Sequence, residues 1–439
     1  MSPRPDSTLL ISRRQFVGAA ALSAAMPIPA RSSLLPQLPL GPLRGTTPDE
    51  VARDEEYWRG VAGQFQLPTG ITNLENGFWG VMARPVFDAY QAHLARVNTD
   101  GVYYIRTSYT QHLEAARARV AAALGAHVEE IAFTRGATES MQALIGGYNR
   151  IKPGDAVLYG DLDYQGMQYA MNWLVARRGV RVVKIAMPEP ATAARLLEAY
   201  AAALDANRDV RMMLLMHCSH KTGLVFPVTE LVALARARGV DVLVDAAQSW
   251  GQIPFNVASL GADFVGLTVQ KWIAGPIGLG AIYIRKDRLP DIDRMMADED
   301  QPADSILSRV HSGTVNFAAA LTAPAALDFH ERIGPGNKAA RLRYLRDRWV
   351  NAVRGVPGVE ILTPDEPGRA GGMTSFRLNG TTTEHNQRLV ETLRDRYDLF
   401  TARRTGIARG DCVRVTPAIY NGMADVDRLA AAITELARA

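Results

Sequence analysis

The run Val240-Asp241-Val242-Leu243-Val244, closed by Asp245-Ala246-Ala247-Gln248, decides how the rest of the chain is read. It is rich in β-branched, apolar residues, which predicts a strand buried on both faces, the pattern of a parallel sheet covered by helices. Such a strand delivers its last residue, Asp245, to the carboxyl edge of the sheet, where open α/β folds place their ligands. Lys271, in Thr268-Val269-Gln270-Lys271-Trp272, follows 26 residues later on a predicted loop. An acid at a strand end and a lysine on a later loop are the two polar anchors of a pyridoxal phosphate site. The carboxylate keeps the pyridine nitrogen protonated, and the amine attaches the ring and moves protons at a substrate α-carbon.

Strands alternate with helices on both sides of this segment. Strands are predicted at residues 131–134, 156–159, 180–185, 210–216, 240–244, 264–267 and 280–284, and helices at 49–65, 112–124, 139–148 and 229–238. The alternation predicts an α/β fold with a mostly parallel, seven-stranded sheet covered on both faces. Pro335-Gly336 and a helix over 337–354 mark the passage to a smaller α+β unit ending in a strand at 411–416 and an amphipathic helix from Ala424. The expected organisation is a signal over residues 1–30, an arm and helix over 31–69, a large domain over 70–315 and a small domain over 316–439.

The first residues differ in kind. Ser12-Arg13-Arg14-Gln15-Phe16-Val17 precedes a short apolar run from Gly18 to Met26 and then Pro27-Ile28-Pro29-Ala30. This resembles a twin-arginine export signal, with an apolar run far below the roughly 20 residues that span a bilayer. It predicts a periplasmic mature protein that meets the twin-arginine translocase during export and keeps no membrane anchor after cleavage. That route carries folded proteins, which suits a chain that acquires its cofactor in the cytoplasm. Two cysteines, Cys218 and Cys412, give no disulfide framework. The net charge of +4 becomes +2 once the three arginines and one aspartate of residues 1–30 are removed, so no nucleic-acid surface is implied.

Several further segments follow one another in a telling order. They are Asn73-Leu74-Glu75-Asn76-Gly77, Phe133-Thr134-Arg135-Gly136-Ala137-Thr138-Glu139 and His217-Cys218-Ser219-His220-Lys221-Thr222-Gly223. After the Asp245 and Lys271 segments come Ser312-Gly313-Thr314-Val315-Asn316 and Arg414-Val415-Thr416 with Tyr420-Asn421. Together, over roughly residues 70–439, they resemble the class V aminotransferase family of fold type I pyridoxal phosphate enzymes, in its isopenicillin N epimerase-like branch. The export signal and Asp161-Leu162-Asp163-Tyr164 are similar to a periplasmic pyoverdine-tailoring relative in that branch.

The resemblance assigns roles. Ala137 and Thr138, at a glycine turn opening a helix, would cradle the phosphate, as helix N-termini do; taken alone Thr138 reads better as a helix cap, and the two roles are compatible. Thr268 and Gln270 would face the same phosphate where the family has serine and histidine; Gln270 donates but brings no charge. Gln248 would bond the cofactor's phenolic oxygen, and Tyr164 would stack on its ring, a place often held by histidine. Thr314 would reach the phosphate of a neighbouring subunit, which implies a homodimer. Arg414 would grip the substrate α-carboxylate through its planar fork, with Asn76 and with His220, which stands where many relatives have asparagine.

Cysteine desulfurases carry a mobile-loop cysteine ahead of that arginine. This chain has none between Gln301 and Asp411. The expectation is therefore an exported aminotransferase or epimerase-like enzyme acting on an amino acid, or on an amino- and carboxylate-bearing peptide or siderophore. A desulfurase or carbon–sulfur lyase and a non-catalytic cofactor-binding protein are the alternatives. Gly275-Pro276-Ile277-Gly278-Leu279-Gly280 precedes a strand, not a helix, and so is a poor nicotinamide motif.

Overall fold

The computed structural model describes Gly45 and residues 47–438, apart from Ser312. The export signal and the first part of the arm lie outside the described residues. The main sheet has seven strands: β1 (Ile131–Thr134), β2 (Ala156–Gly160), β3 (Arg181–Ile185), β4 (Val210–Met216), β5 (Asp241–Asp245), β6 (Phe264–Thr268) and β7 (Gly280–Ile284). Their order is β1-β7-β6-β5-β4-β2-β3. All neighbours are parallel except β7, which runs antiparallel between β6 and β1. The α/β expectation and the mostly parallel sheet hold.

Alternation along each strand explains why the sheet is buried twice. Leu158, Met213, Leu215, Val242, Val244, Val265 and Leu267 face one hydrophobic core, while Val157, Met212, Leu214, Leu243 and Phe264 face another. With apolar side chains on both faces, the inner strands have no solvent side, whereas the edge strand β3 exposes Arg181 and Lys184. The antiparallel sheet that follows has β8 (Val359–Ile361), β9 (Thr374–Leu378), β10 (Ala402–Arg404) and β11 (Cys412–Val415), in the order β10-β11-β9-β8. It has its own core, in which Phe376, Val413 and Val415 meet Trp349, Leu393, Val426 and Leu429 from the neighbouring helices.

One helical reading changes and two helices are added. The single helix expected at 49–65 is two, Pro48–Ala52 and Glu55–Ala62, because Asp54 between them accepts a hydrogen bond from Tyr57 N–H and caps the second. A helix over Arg84–Tyr104, with Gly101 non-helical within it, leads through the wide turn Ile105–Tyr109 into Thr110–Leu124. Phe317–Ile333 packs against that pair. No helix among the described residues is long and apolar enough to cross a membrane.

Candidate active site

A cavity of about 610 Å³ opens at the carboxyl ends of β4, β5 and β6, and the second sheet supplies its far wall. At one end the chain leaves β1, turns at Gly136 and enters the helix Ala137–Gly147. Gly136 sits at φ +150°, where a side chain is strained, and a Cβ on Gly280 of β7 would come within 2.6 Å of Gly136 Cα. The turn is thereby pressed onto the sheet with its first N–H groups facing the cavity. Among the described residues no side chain caps this helix. The capping alternative for Thr138 therefore falls, and Ala137 and Thr138 have no backbone acceptor among the described residues, which is the arrangement that draws a phosphate.

Thr268 and Gln270 line the same end. The Thr268 hydroxyl donates to Leu279 O at 3.3 Å, and Gln270 Oε1 accepts from Gly278 N–H at 2.6 Å and Leu279 N–H at 3.3 Å. The Gln270 carbonyl thus holds the glycine-rich loop, and only its NH₂ is left to donate. Thr314 is exposed just ahead of the helix Phe317–Ile333 and is not part of this cavity.

Asp245 and Lys271 are brought together at the middle. Asp245 is buried, and its Oδ1 accepts from Ala247 N–H at 2.9 Å, leaving the other oxygen for a partner in the cavity. Burial raises its pKa, while the Ala247 bond and the Lys271 charge pull it back. Burial lowers Lys271 to about 8, against the opposing pull of Asp245. An amine so lowered is available as a nucleophile and proton carrier near neutral pH.

Gln248 is fixed by two partners that could not be exchanged. Trp272 Nε1, a donor only, gives its hydrogen to Gln248 Oε1 at 3.0 Å, and Gln248 Nε2 donates to Gly77 O at 2.8 Å. The amide is held with its nitrogen toward the cavity side and one N–H still to give. Trp272 is itself anchored, since the buried Lys338 ammonium donates to its carbonyl. Neither residue was singled out from the sequence.

The substrate end departs most from expectation. Arg414 is 1% exposed and lines the cavity; its Nη1 donates to His220 O at 2.5 Å, and Nη2 is paired with Glu75. Burial lowers the guanidinium to about 10. Glu75 Oε1 also accepts from Arg404 Nη2 at 2.8 Å. A Cβ on Gly77 would lie 2.6 Å from Arg414 Nη2, so only glycine lets that group lie against the backbone. His220 thus meets Arg414 through its carbonyl, while its half-buried ring, kept neutral by desolvation and the neighbouring cations, makes an edge contact with Tyr164 at 5.2 Å.

Asn76 is a correction. Its Nδ2 donates to Asn73 O and Thr416 O, and its Oδ1 accepts from Asn73 Nδ2 and the Tyr420 hydroxyl. With both ends of the amide engaged, and outside the cavity lining, it ties residues 73–76 to the end of β11 instead of meeting substrate.

Tyr164 lines the cavity and is 43% exposed. Two buried acids hold the turn before it: Asp163 accepts from Gly160 and Met216 N–H, and Asp161 from Met187 and Ala408 N–H. Lys221 completes this brace through Asp161 O at 2.6 Å and Gly406 O at 2.9 Å. Cys218 and Cys412 are buried free thiols, each pushed by burial up to about 12. At neutral pH both are protonated, and neither is a nucleophile.

The residues present fit pyridoxal phosphate along its length: an uncapped helix start for the phosphate, a buried carboxylate for the ring nitrogen, an amide N–H for the phenolic oxygen and a lysine for attachment. A profile of the class V aminotransferases matches residues 82–429. The isopenicillin N epimerase of Amycolatopsis lactamdurans is 29% identical over 399 residues, covering 87% of this chain and 99% of that protein. A cysteine desulfurase of Haloferax volcanii is 27% identical over 407 residues, 85% of this chain and 93% of the relative. Among solved structures, the cysteine desulfurase of Thermococcus onnurineus NA1 superposes with a TM-score of 0.73 at 22% identity, covering 86% of this chain and 97% of that one.

Proposed function

This chain belongs to the class V aminotransferase family, with pyridoxal phosphate as its cofactor, and on that premise we propose that it moves the α-proton of an amino acid or amino-bearing peptide in a transamination or epimerisation. The observation that carries the choice over sulfur transfer is the state of the two thiols, both buried, both held protonated, and neither on a mobile loop. Persulfide formation needs a thiolate that reaches the substrate sulfur. The cofactor, once bound, supplies an electron sink for the carbanion left at the α-carbon.

The side chains do the rest. Asp245 would keep the ring nitrogen protonated, Gln248 would give its second N–H to the phenolic oxygen, and Arg414 would orient the substrate by its carboxylate. Lys271 takes the α-proton and returns it. Deuterium exchange tests this: purified holoenzyme in D₂O, offered a panel of amino acids, should exchange the α-hydrogen of at least one and release no sulfide from cysteine. Sulfide release from cysteine would assign it instead to carbon–sulfur chemistry, which also begins with loss of the α-proton.

An exported enzyme, acting on a siderophore or peptide in the periplasm as a homodimer, is the fuller form of the proposal. It draws on Ser12 to Val17 and on the family resemblance at Thr314. Changing Arg13 and Arg14 to lysine should leave the precursor in the cytoplasm. Normal periplasmic recovery of that variant would remove the export claim.

A further inference from the structure

The wall opposite Lys271 carries two guanidinium groups around one carboxylate. β10 and β11 are antiparallel, with Ala402 opposite Arg414 and Arg404 opposite Cys412. Side chains two apart on a strand share a face, so Arg404 projects on the same face as Ala402 and, across the pair, as Arg414. The two guanidinium groups are diagonal neighbours, and both line the cavity. Like charges this close repel unless an anion lies between them, and Glu75 is that anion, its Oε1 shared by Nη2 of Arg404 and Nη2 of Arg414.

Glu75 satisfies only half of this demand. One carboxylate faces two cations, so one positive charge is left on the cavity wall. Arg403, next on the strand, does not add to the count, because Asp411 lies 3.8 Å from it. Arg404 keeps a side-chain exposure of 24%, whereas Arg414 keeps 1%. Nε of neither arginine has a hydrogen-bond partner among the described residues, so the exposure is what separates them. Of the pair, Arg404 is the one with room to move toward an incoming group.

We propose that Arg404 is a second arginine for the substrate carboxylate, so that one carboxylate is bracketed by Arg404 and Arg414 with Glu75 as their fixed counter-ion. The inference rests on the proposed α-carbon chemistry. It specifies the ligand further: a compound with one carboxylate at this pole, for which an amide or ester at the same position is a poor replacement. An added monoanion brings the cluster to neutrality, while a neutral amide leaves both arginines short of an acceptor.

The test uses the absorbance of the bound cofactor in holoenzyme, titrated with L-alanine and with L-alaninamide. The wild type should favour the carboxylate, and Arg404→Gln should shrink the alaninamide-to-alanine Kd ratio by about tenfold, as loss of a charged hydrogen bond predicts. Arg404→Lys, which keeps charge without the planar fork, should fall between the two. Retained cofactor absorbance in each variant establishes that the fold survives. A ratio unchanged in Arg404→Gln overturns the proposal, as does an equal loss for both compounds, which would make Arg404 a prop for Glu75. If neither compound alters the spectrum of the wild type while other amino acids do, the bracket falls alone. If no amino acid alters it, the proposed chemistry falls with it.

Discussion

The two ends of the cavity are built in different ways. The cofactor end is made by strand termini of one sheet: Asp245 closes β5, Thr268 closes β6, and Gly136 to Thr138 leaves β1. The substrate end is assembled from distant pieces, with Arg414 paired to Glu75 across 339 residues and to His220 O across 194. The first is held by buried sheet hydrogen bonds, and its geometry follows from the register. The second depends on how a separate four-stranded sheet is set against residues 73–77, a geometry fixed by ion pairs and by the absence of a side chain at Gly77. Changes at the cofactor end should therefore strike the chemical step, and changes at the substrate end should strike capture.

The largest separation is expected at Lys271. Lys271→Ala removes attachment and proton transfer together, so turnover should fall by at least about a thousandfold, to background, while far-ultraviolet circular dichroism stays that of the wild type. Asp245→Asn should retain cofactor and lose about a hundredfold or more in kcat, since an amide cannot hold a proton on the ring nitrogen. Turnover near wild type in either variant would erase the division. The Lys271 amine also sets a pH dependence. Burial lowers it from 10.5 to about 8, so the neutral, attacking form gains about tenfold per pH unit below 8 and levels off above. Cofactor uptake by the apoprotein, followed by absorbance, should show that rise; a rise continuing to 10.5 would mean that the amine is not desolvated.

At the other end, Arg414→Lys should raise KM by about 10- to 100-fold, in line with the roughly 1.5–3 kcal/mol of a charged hydrogen bond, with a much smaller change in kcat. Cofactor retention should be normal. Loss of the cofactor from this variant would show that the guanidinium is part of the scaffold that carries Gly77 and, through Gly77 O, Gln248.

The same division explains what could be read in the sequence. Strands β1 to β7 were legible because their apolar runs are bounded by turns, and Asp245, Lys271 and Thr138 were legible because they sit at the ends of those runs. Two long helices were not. Arg84–Tyr104 buries only Pro85, Val86 and Tyr104, so no apolar stripe marks it, and Phe317–Ile333 is buried nearly all round, so no polar face does. Asn76 was misread because its amide, apparently free in the sequence, is fully engaged by groups as distant as Thr416 and Tyr420. Glu75 and Arg404 carried no periodic signal at all. Their meaning arises only when β10, β11 and residues 73–77 meet, which no local pattern encodes.

The smallest expected effect lies at the junction between the two ends. Trp272 gives its indole hydrogen to Gln248 Oε1, and Gly77, against which Arg414 packs, accepts from Gln248 Nε2. An amide has nearly the same shape when flipped, so shape alone does not decide which end faces the cofactor. The indole decides it, because it can only donate. Trp272→Phe keeps an aromatic ring in the buried site but removes the donor, and the remaining Gly77 bond no longer has a partner in fixing the amide. A net loss of about 1 kcal/mol is typical of one such hydrogen bond, which converts to roughly fivefold weaker cofactor binding. The pH midpoint of the cofactor's absorbance should shift as well, since the phenolic oxygen loses a steady donor, while discrimination between L-alanine and L-alaninamide should stay nearer the wild-type ratio than in Arg404→Gln. A variant matching the wild type in both affinity and midpoint would show that Gly77 alone orients Gln248. A collapse of carboxylate discrimination would show instead that the two ends are mechanically one.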